Sequence, residues 1–369
     1  MEGRTMRAMT WLRRIEARAL RHLSPLIIAL DEDAPRSLVI LGASGSGKSS
    51  LLAGIAGELD AALEGRAHPA DDVRAPIGEA RDRALKLAHL GRPVRVIWSD
   101  PAVASAHAEG RLVLAHLRLP RAPSFLAAPR PTPTDTDPKP PDAQVAPRLV
   151  QLLVNRKTEQ TLARESADPL REQLHASWFL RVRSALRKLL HQPGIGLAFD
   201  AGGVQLDLPD GRRVGFGELS LGHATAVTLW AEVMIRVEAA RLRNGDGALE
   251  PDGVVLIDHP EANLDPRLQR ELLPALAELY PRVQWIVTTH SPLVAMSLDD
   301  ATVFDLVRRE ATPSGELRKR GIEPLLLAML GFADAAPSAS RSAPSVPPPA
   351  ALPPRRQTVE GPGPWKKDG

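Results

Sequence analysis

Nine consecutive residues have the types and spacing to hold a polyphosphate: Gly42, Ala43, Ser44, Gly45, Ser46, Gly47, Lys48, Ser49 and Ser50. They match the pattern G-x-x-x-x-G-K-[ST]. Glycines at 42, 45 and 47 let the backbone turn tightly, so that several N–H groups converge on one anion. Lys48 is placed to reach the β- and γ-phosphates of a nucleotide, and the Ser49 hydroxyl to sit on Mg²⁺. The elements that must position this loop are present in the sequence. The apolar run Ser37–Leu41 reads as a strand directly before it, and Leu51–Leu59 reads as a helix directly after it. The positive dipole end of that helix would add to the anion site. The loop implies a nucleoside triphosphate.

Composition narrows the class. A chain of 369 residues can hold one large α/β domain or two smaller ones. No apolar stretch approaches the ~18–20 uncharged residues that cross a bilayer. Arg13, Arg14, Glu16 and Arg18 break up the N-terminal apolar runs, so no secretory signal is expected. The absence of cysteine excludes disulfides, thiolate metal sites and cysteine nucleophiles, and fits a reducing cytoplasm. The net charge is +3, and the five basic and two acidic residues from Ala335 onward account for all of it. A globally basic, nucleic-acid-coating protein is therefore not indicated.

The expected organisation is α/β, with a mixed central sheet flanked by helices and interrupted by a helical insertion. Residues 1–119 form an N-terminal lobe with a strand or helix at Trp11–Leu20, a strand at Leu26–Leu30, a helix around Ile77–Leu90 and a strand at Val94–Trp98. Residues 120–147 hold nine prolines in 28 positions and read as a linker. Residues 148–193 carry leucines at helical spacing, among them Leu162, Leu170 and Leu174, with a break at Asp168-Pro169 that suggests a hairpin. Residues 148–191 contain nine basic and four acidic residues, and Arg181, Arg187 and Lys188 cluster on the second helix. That cluster is either a solvated face or a contact site for a nucleic-acid backbone. Residues 194–334 form a C-terminal lobe that begins with a hairpin, and 335–369, with nine further prolines, read as a disordered tail.

Three segments of the C-terminal lobe decide between classes of phosphate-loop protein: Glu218–His223 (ELSLGH), Val254–Pro266 (VVLIDHPEANLDP) and Trp285–Pro292 (WIVTTHSP). Here the sequence resembles the ABC-type ATPase superfamily. LSLGH is similar to the signature LSGGQ, LIDHPEANLD to the combined Walker B and D-loop, and His290 to the switch histidine. His290 follows Asp258 by 32 residues, and all four motifs occur in the family's order. The wording PEANLDP and THSPLVAMSL resembles most the soluble OLD-like and SMC-like branch, whose members act in DNA repair, chromosome handling and phage defence. The resemblance is good over 11–60 and 195–307 and poor over 61–194.

The resemblance implies an ATPase using ATP and Mg²⁺, with a P-loop NTPase head that pairs with a second copy when ATP is bound. Asp258, at a strand end, would hold Mg²⁺ through water opposite Ser49. Ser220 and Gly222 open a helix and would form an anion site facing the γ-phosphate held by the other copy. Asp265 would line the same interface, and His290 would contact the γ-phosphate. Two departures stand out. The position after Asp258 normally carries the glutamate that polarises water, and here it is His259; histidine can accept a proton, and Glu261 is the other candidate. The expected metal-contacting glutamine is missing, leaving Ser99 or Asp100, and Trp11 and His22 are the candidates for adenine stacking. No effector motif follows His290, so a separate effector chain, such as a nuclease, is expected. The competing expectations are the cytoplasmic ATPase subunit of an ABC transporter and a nucleotide-binding scaffold with negligible hydrolysis.

Overall fold

The computed structural model describes residues 9–67, 93–118, 122–200, 203–245 and 250–329, apart from positions 18, 19, 21, 22, 24, 32 and 129. The helix expected around 77–90 and the tail 335–369 lie outside the described residues. The N-terminal part contains β1 (Leu12–Ala17), β2 (Leu26–Ala29), β3 (Ser37–Leu41), α1 (Lys48–Leu63), β4 (Val94–Trp98), α2 (Val103–Ala108) and β5 (Leu112–Arg118). Two long helices follow, α3 (Leu149–Glu165) and α4 (Pro169–Leu189), then the meander β6 (Gly196–Asp200), β7 (Gly203–Asp207) and β8 (Arg213–Gly215). The remaining elements are α5 (Leu221–Asn244), β9 (Asp252–Asp258), α6 (Pro266–Leu279), β10 (Val283–Thr289), α7 (Pro292–Ala295), β11 (Ala301–Asp305), β12 (Glu310–Pro313), α8 (Ser314–Arg320) and α9 (Ile322–Met329).

The central sheet has the order β12-β11-β3-β10-β9-β5, with β12 antiparallel at the edge and the other five strands parallel. Its parallel strands are near-continuous apolar runs because both faces are covered. Alternate residues go to opposite faces. Val39, Leu41, Val255, Ile257, Trp285 and Val287 face a core shared with α3 to α6. Leu38, Ile40, Val254, Leu256 and Ile286 face a second core beneath α1, α2 and the antiparallel sheet β2-β1-β4. The small sheet is tied to the large one by Gln284, whose side chain accepts the Leu12 N–H at 2.8 Å and donates to the Leu12 carbonyl at 3.0 Å.

The α3–α4 hairpin shares the main core rather than standing apart from it. Trp178, Phe179, Val182 and Leu186 join Val255 and Val287 in one apolar cluster. Its break has a local cause: Asp168 accepts the Arg171 N–H at 3.1 Å as the N-cap of α4, with Pro169 in the first helical position. Beyond the core, Leu162, Leu170 and Leu174 are exposed.

Among the described residues, the proline-rich stretch contains neither helix nor strand from 122 to 145, yet it is strapped to the body. The Val145 and Ala146 N–H groups donate to the buried Glu232 carboxylate at 3.0 and 2.9 Å, and Arg236 and Arg243 donate to the carbonyls of Ala143 and Thr136. A free tether is what composition suggests. The side chains of α5 satisfy this backbone instead.

Candidate functional site

Sheet register brings the separated motifs together. Thr288 pairs with Asp258, Thr289 with Leu41, and Arg118 with Asp258. The carboxyl ends of β3, β10, β9 and β5 therefore lie side by side, the usual place for a ligand in an open parallel sheet.

The phosphate loop leaves β3 and enters α1 at Lys48. Gly45 and Gly47 have φ values of 79° and 97°, which L side chains rarely adopt. A Cβ on Gly47 would also lie 3.0 Å from Leu23, and one on Gly42 would lie 2.7 Å from Ser46 Oγ. Lys48 is 3% exposed, and its Nζ donates to the carbonyls of Gly42 and Ala43, each at 2.8 Å. Burial pulls its ammonium below the ordinary range, against the opposing influence of the Glu261 and Asp258 carboxylates. Ser46 Oγ is buried and finds no hydrogen-bond partner among the described residues. Ala43, Ser44, Gly45 and Ser49 are exposed around this cradle, and Ser50 is half-buried.

Asp258 ends β9 at this cradle. Its Oδ1 accepts from Ser49 Oγ at 3.1 Å and from the Thr288 hydroxyl. The next residue, His259, holds φ at 51°, a left-handed conformation unfavourable for a non-glycine residue. Its ring Nδ1 then lies 3.0 Å from Glu261 Oε1, two residues on, and its Nε2 lies 3.8 Å from Asp258 Oδ1. His290, at the end of β10, places its Nδ1 2.9 Å from the same Glu261 oxygen, donates its own backbone N–H there at 2.9 Å, and approaches His259 Nδ1 at 3.2 Å. The Thr289 hydroxyl donates to Glu261 Oε2 at 2.8 Å. Burial works against the Glu261 charge, but these hydrogen bonds outweigh it and hold the carboxyl below its usual range. A saturated, ionised carboxylate is a poor proton acceptor.

The residues present fit a magnesium triphosphate: a glycine cradle with an orphaned hydroxyl, a desolvated lysine, and a hydroxyl–carboxylate pair from Ser49 and Asp258. At the other edge, Ser220 is the exposed N-cap of α5; its Oγ accepts the His223 N–H at 3.5 Å and lies 3.0 Å from His223 Nδ1. Gly222 lies against the loop after β9, where a Cβ would be 3.0 Å from the Asn263 carbonyl oxygen. Asp265 caps α6, accepting the Arg267 and Leu268 N–H groups at 2.8 and 2.9 Å, and remains exposed.

Residues 168–297 match the family model described as "AAA domain, putative AbiEii toxin, Type IV TA system". That match spans the segments 218–223, 254–266 and 285–292, and the sheet register sets the last two beside the phosphate loop. With the glycine loop on the same sheet edge as the matched segment, the chain is of the P-loop NTPase type. It is 38% identical over 93 residues to the Septu protein PtuA of Bacillus mycoides (strain KBAB4), a stretch covering 25% of this chain and 12% of that protein. It is 33% identical over 87 residues to the Retron Ec83 probable ATPase of Escherichia coli, covering 24% of this chain and 16% of that one. The matched stretches thus span under a fifth of the length of these curated relatives. A crystal structure of the SMC head bound to the C-winged helix domain of ScpA is similar with a TM-score of 0.41 and 15% identity, covering 80% of this chain and 94% of that one. No helix among the described residues is long and apolar enough to cross a membrane.

Several expected site residues of this P-loop NTPase do other work. Ser99 Oγ accepts the Trp11 N–H at 2.9 Å and donates to the Met9 carbonyl, and Asp100 accepts the Ala102 N–H, so both shape the turn after β4. That turn follows the small sheet. β9 is flanked by β10 and, on its outer side, by β5, which sequence reasoning missed although Leu112–Leu117 is an apolar run broken only by His116. β5 sets Arg118 in register with Asp258. Trp11 is 7% exposed and donates to the Asp31 carbonyl, so it is a core residue, while His22 lies outside the described residues. In the basic cluster on α4, Arg187 donates to the Ile195 carbonyl and Lys188 pairs with Glu278, leaving Arg181 exposed.

Proposed function

We propose that the chain is a Mg²⁺-dependent ATPase that acts as a switch in phage defence, two copies pairing on ATP to drive a separate effector chain. The observation that supports hydrolysis most directly is the His259–Glu261 pair beside Asp258 and Ser49. Bound ATP·Mg²⁺ would supply the phosphoryl electrophile and a cation that neutralises developing charge. Loop N–H groups and Lys48 bind and orient the phosphates, and Ser49 and Asp258 hold the metal. Glu261 accepts the His259 Nδ1 proton, which fixes the ring tautomer and leaves Nε2 to take a proton from water. Glu261 is then a positioning residue and His259 the base. His290, exposed at the mouth and anchored by its own backbone to Glu261, is suited to touch the γ-phosphate. The exposed Ser220 end of α5, packed by Gly222 on the loop that leads to Asp265, is suited to complete the site of a second copy. The defence setting rests on the similarity to the Septu and retron proteins.

Phosphate release tests the reading. Wild type should turn over ATP, Lys48→Ala should lose nucleotide binding, and His259→Ala should bind ATP but lose about 10²- to 10⁴-fold in kcat. If His259→Ala turns over as wild type does, the base assignment is wrong. If wild type releases no phosphate while binding ATP, the chain is a scaffold.

A further inference from the structure

Three donor atoms at the end of β9 and β10 form a nearly equilateral triangle: His259 Nδ1 to Glu261 Oε1 is 3.0 Å, Glu261 Oε1 to His290 Nδ1 is 2.9 Å, and the two imidazole nitrogens are 3.2 Å apart. Three corners of a tetrahedron around a zinc-sized ion, with bonds of ~2.0–2.1 Å, are separated by ~3.3–3.4 Å. The triangle needs only a few tenths of an ångström of expansion to accept one. Protonation alone serves this arrangement poorly. Two ring N–H groups and the His290 backbone N–H all converge on one carboxylate oxygen, and the ring nitrogens face each other within van der Waals range.

We propose that His259, Glu261 and His290 form a site for a zinc-class divalent cation, distinct from the Mg²⁺ position at Ser49 and Asp258. Two imidazoles and one carboxylate suit zinc, cobalt or nickel, whereas magnesium prefers oxygen ligands throughout. The backbone prepares the site. His259 is held at φ 51°, and Glu261 Oε2 is fixed from behind by the Thr289 hydroxyl, which leaves Oε1 to face the two rings. The Thr289 bond and the His290 N–H bond are the outer contacts that orient a ligating carboxylate.

The consequence is regulatory, and this part alone rests on the base role proposed above. An ion on Nδ1 of His259 moves the ring proton to Nε2 through solvent, with no net proton released. Nε2 then donates instead of accepting, so the base is switched off. The same ion occupies His290.

The binding claim is tested without nucleotide. Full-length protein, stripped of metal by chelator and held in Mg²⁺ buffer, is titrated with Co²⁺ and followed by visible absorption and equilibrium dialysis, with Zn²⁺ as competitor. One Co²⁺ per chain is expected, with the intense bands of a four-coordinate ion that Zn²⁺ erases. His290→Ala, whose side chain is 58% exposed and whose loss leaves no cavity, should weaken uptake at least ~10–100-fold, as should Glu261→Gln. His191→Ala, at the His191–Glu271 pair on the far end of α4, should leave uptake unchanged. No stoichiometric uptake, or uptake that His290→Ala does not weaken, overturns the proposal. Because no ATP is present, failure here leaves the ATPase reading standing.

Discussion

Replacing Glu261 by glutamine keeps the shape of the side chain and removes the charge that four donors share. Its Oε1 receives His259 Nδ1, His290 Nδ1 and the His290 N–H at 2.9–3.0 Å, and its Oε2 receives the Thr289 hydroxyl at 2.8 Å. Hydrogen bonds to an ionised group contribute ~1.5–3 kcal/mol and neutral ones ~0.5–1.5, so each of the three bonds on Oε1 weakens by about 1 kcal/mol. Relief of the buried charge offsets part of that loss. A net destabilisation of about 1–3 kcal/mol follows, read as a fall of a few degrees in Tm. The catalytic effect is larger because the ring of His259 keeps only a weaker, neutral acceptor at Nδ1, which no longer fixes its tautomer. Steady-state phosphate release should show kcat reduced about 10²- to 10⁴-fold with the KM for ATP within about 3-fold of wild type. An unchanged kcat would refute the positioning role. A raised KM with normal kcat would make Glu261 a nucleotide contact instead.

Two further outcomes follow from the same geometry. Gly47→Ala places a Cβ at φ 97° and 3.0 Å from Leu23, so the cradle must deform; the strain of about 1–2 kcal/mol should weaken ATP binding roughly 5- to 30-fold by calorimetry, and unchanged affinity would mean the loop is more pliant than its angles suggest. His107 is buried against the Leu112 carbonyl, near Arg236, Arg243, Lys139 and Asp137, and burial first, then the arginines, hold it below its ordinary pKa. The folded protein holds this proton less readily than the unfolded chain, so the unfolded chain binds more protons as pH falls through the ordinary histidine range and stability falls with it. Denaturant midpoints at pH 7.5 and 5.5 should differ in that direction, and His107→Gln should flatten the difference; an equal slope in both proteins would contradict it.

The turn at 42–50, the helix start at Ser220 and the strand end at Asp258 were legible because each pairs a local backbone need with a chemical group: glycines where φ is positive, a serine cap at a helix start, a carboxylate at a strand end. The α3–α4 break was legible for the same reason, through Asp168 and Pro169. What the sequence hid is set by distant partners. The strap at 122–145 looks like a tether because its composition says nothing of Glu232, Arg236 and Arg243 waiting on α5 to satisfy its backbone. Leu162, Leu170 and Leu174 share helical spacing with core leucines, yet they lie beyond the reach of the core and stay exposed. The His259–Glu261 bond is hidden too, since residues two apart meet only because His259 takes a left-handed φ.

An ATP site completed by a second copy is tested most directly by sedimentation velocity of the His259→Ala protein, in which bound ATP is retained. With ATP and Mg²⁺ it should sediment as a dimer, and without nucleotide as a monomer. Adding Ser220→Glu, which sets a negative charge at the exposed start of α5, should leave it monomeric in ATP. Identical sedimentation with and without ATP·Mg²⁺, at saturating occupancy, would contradict the shared site.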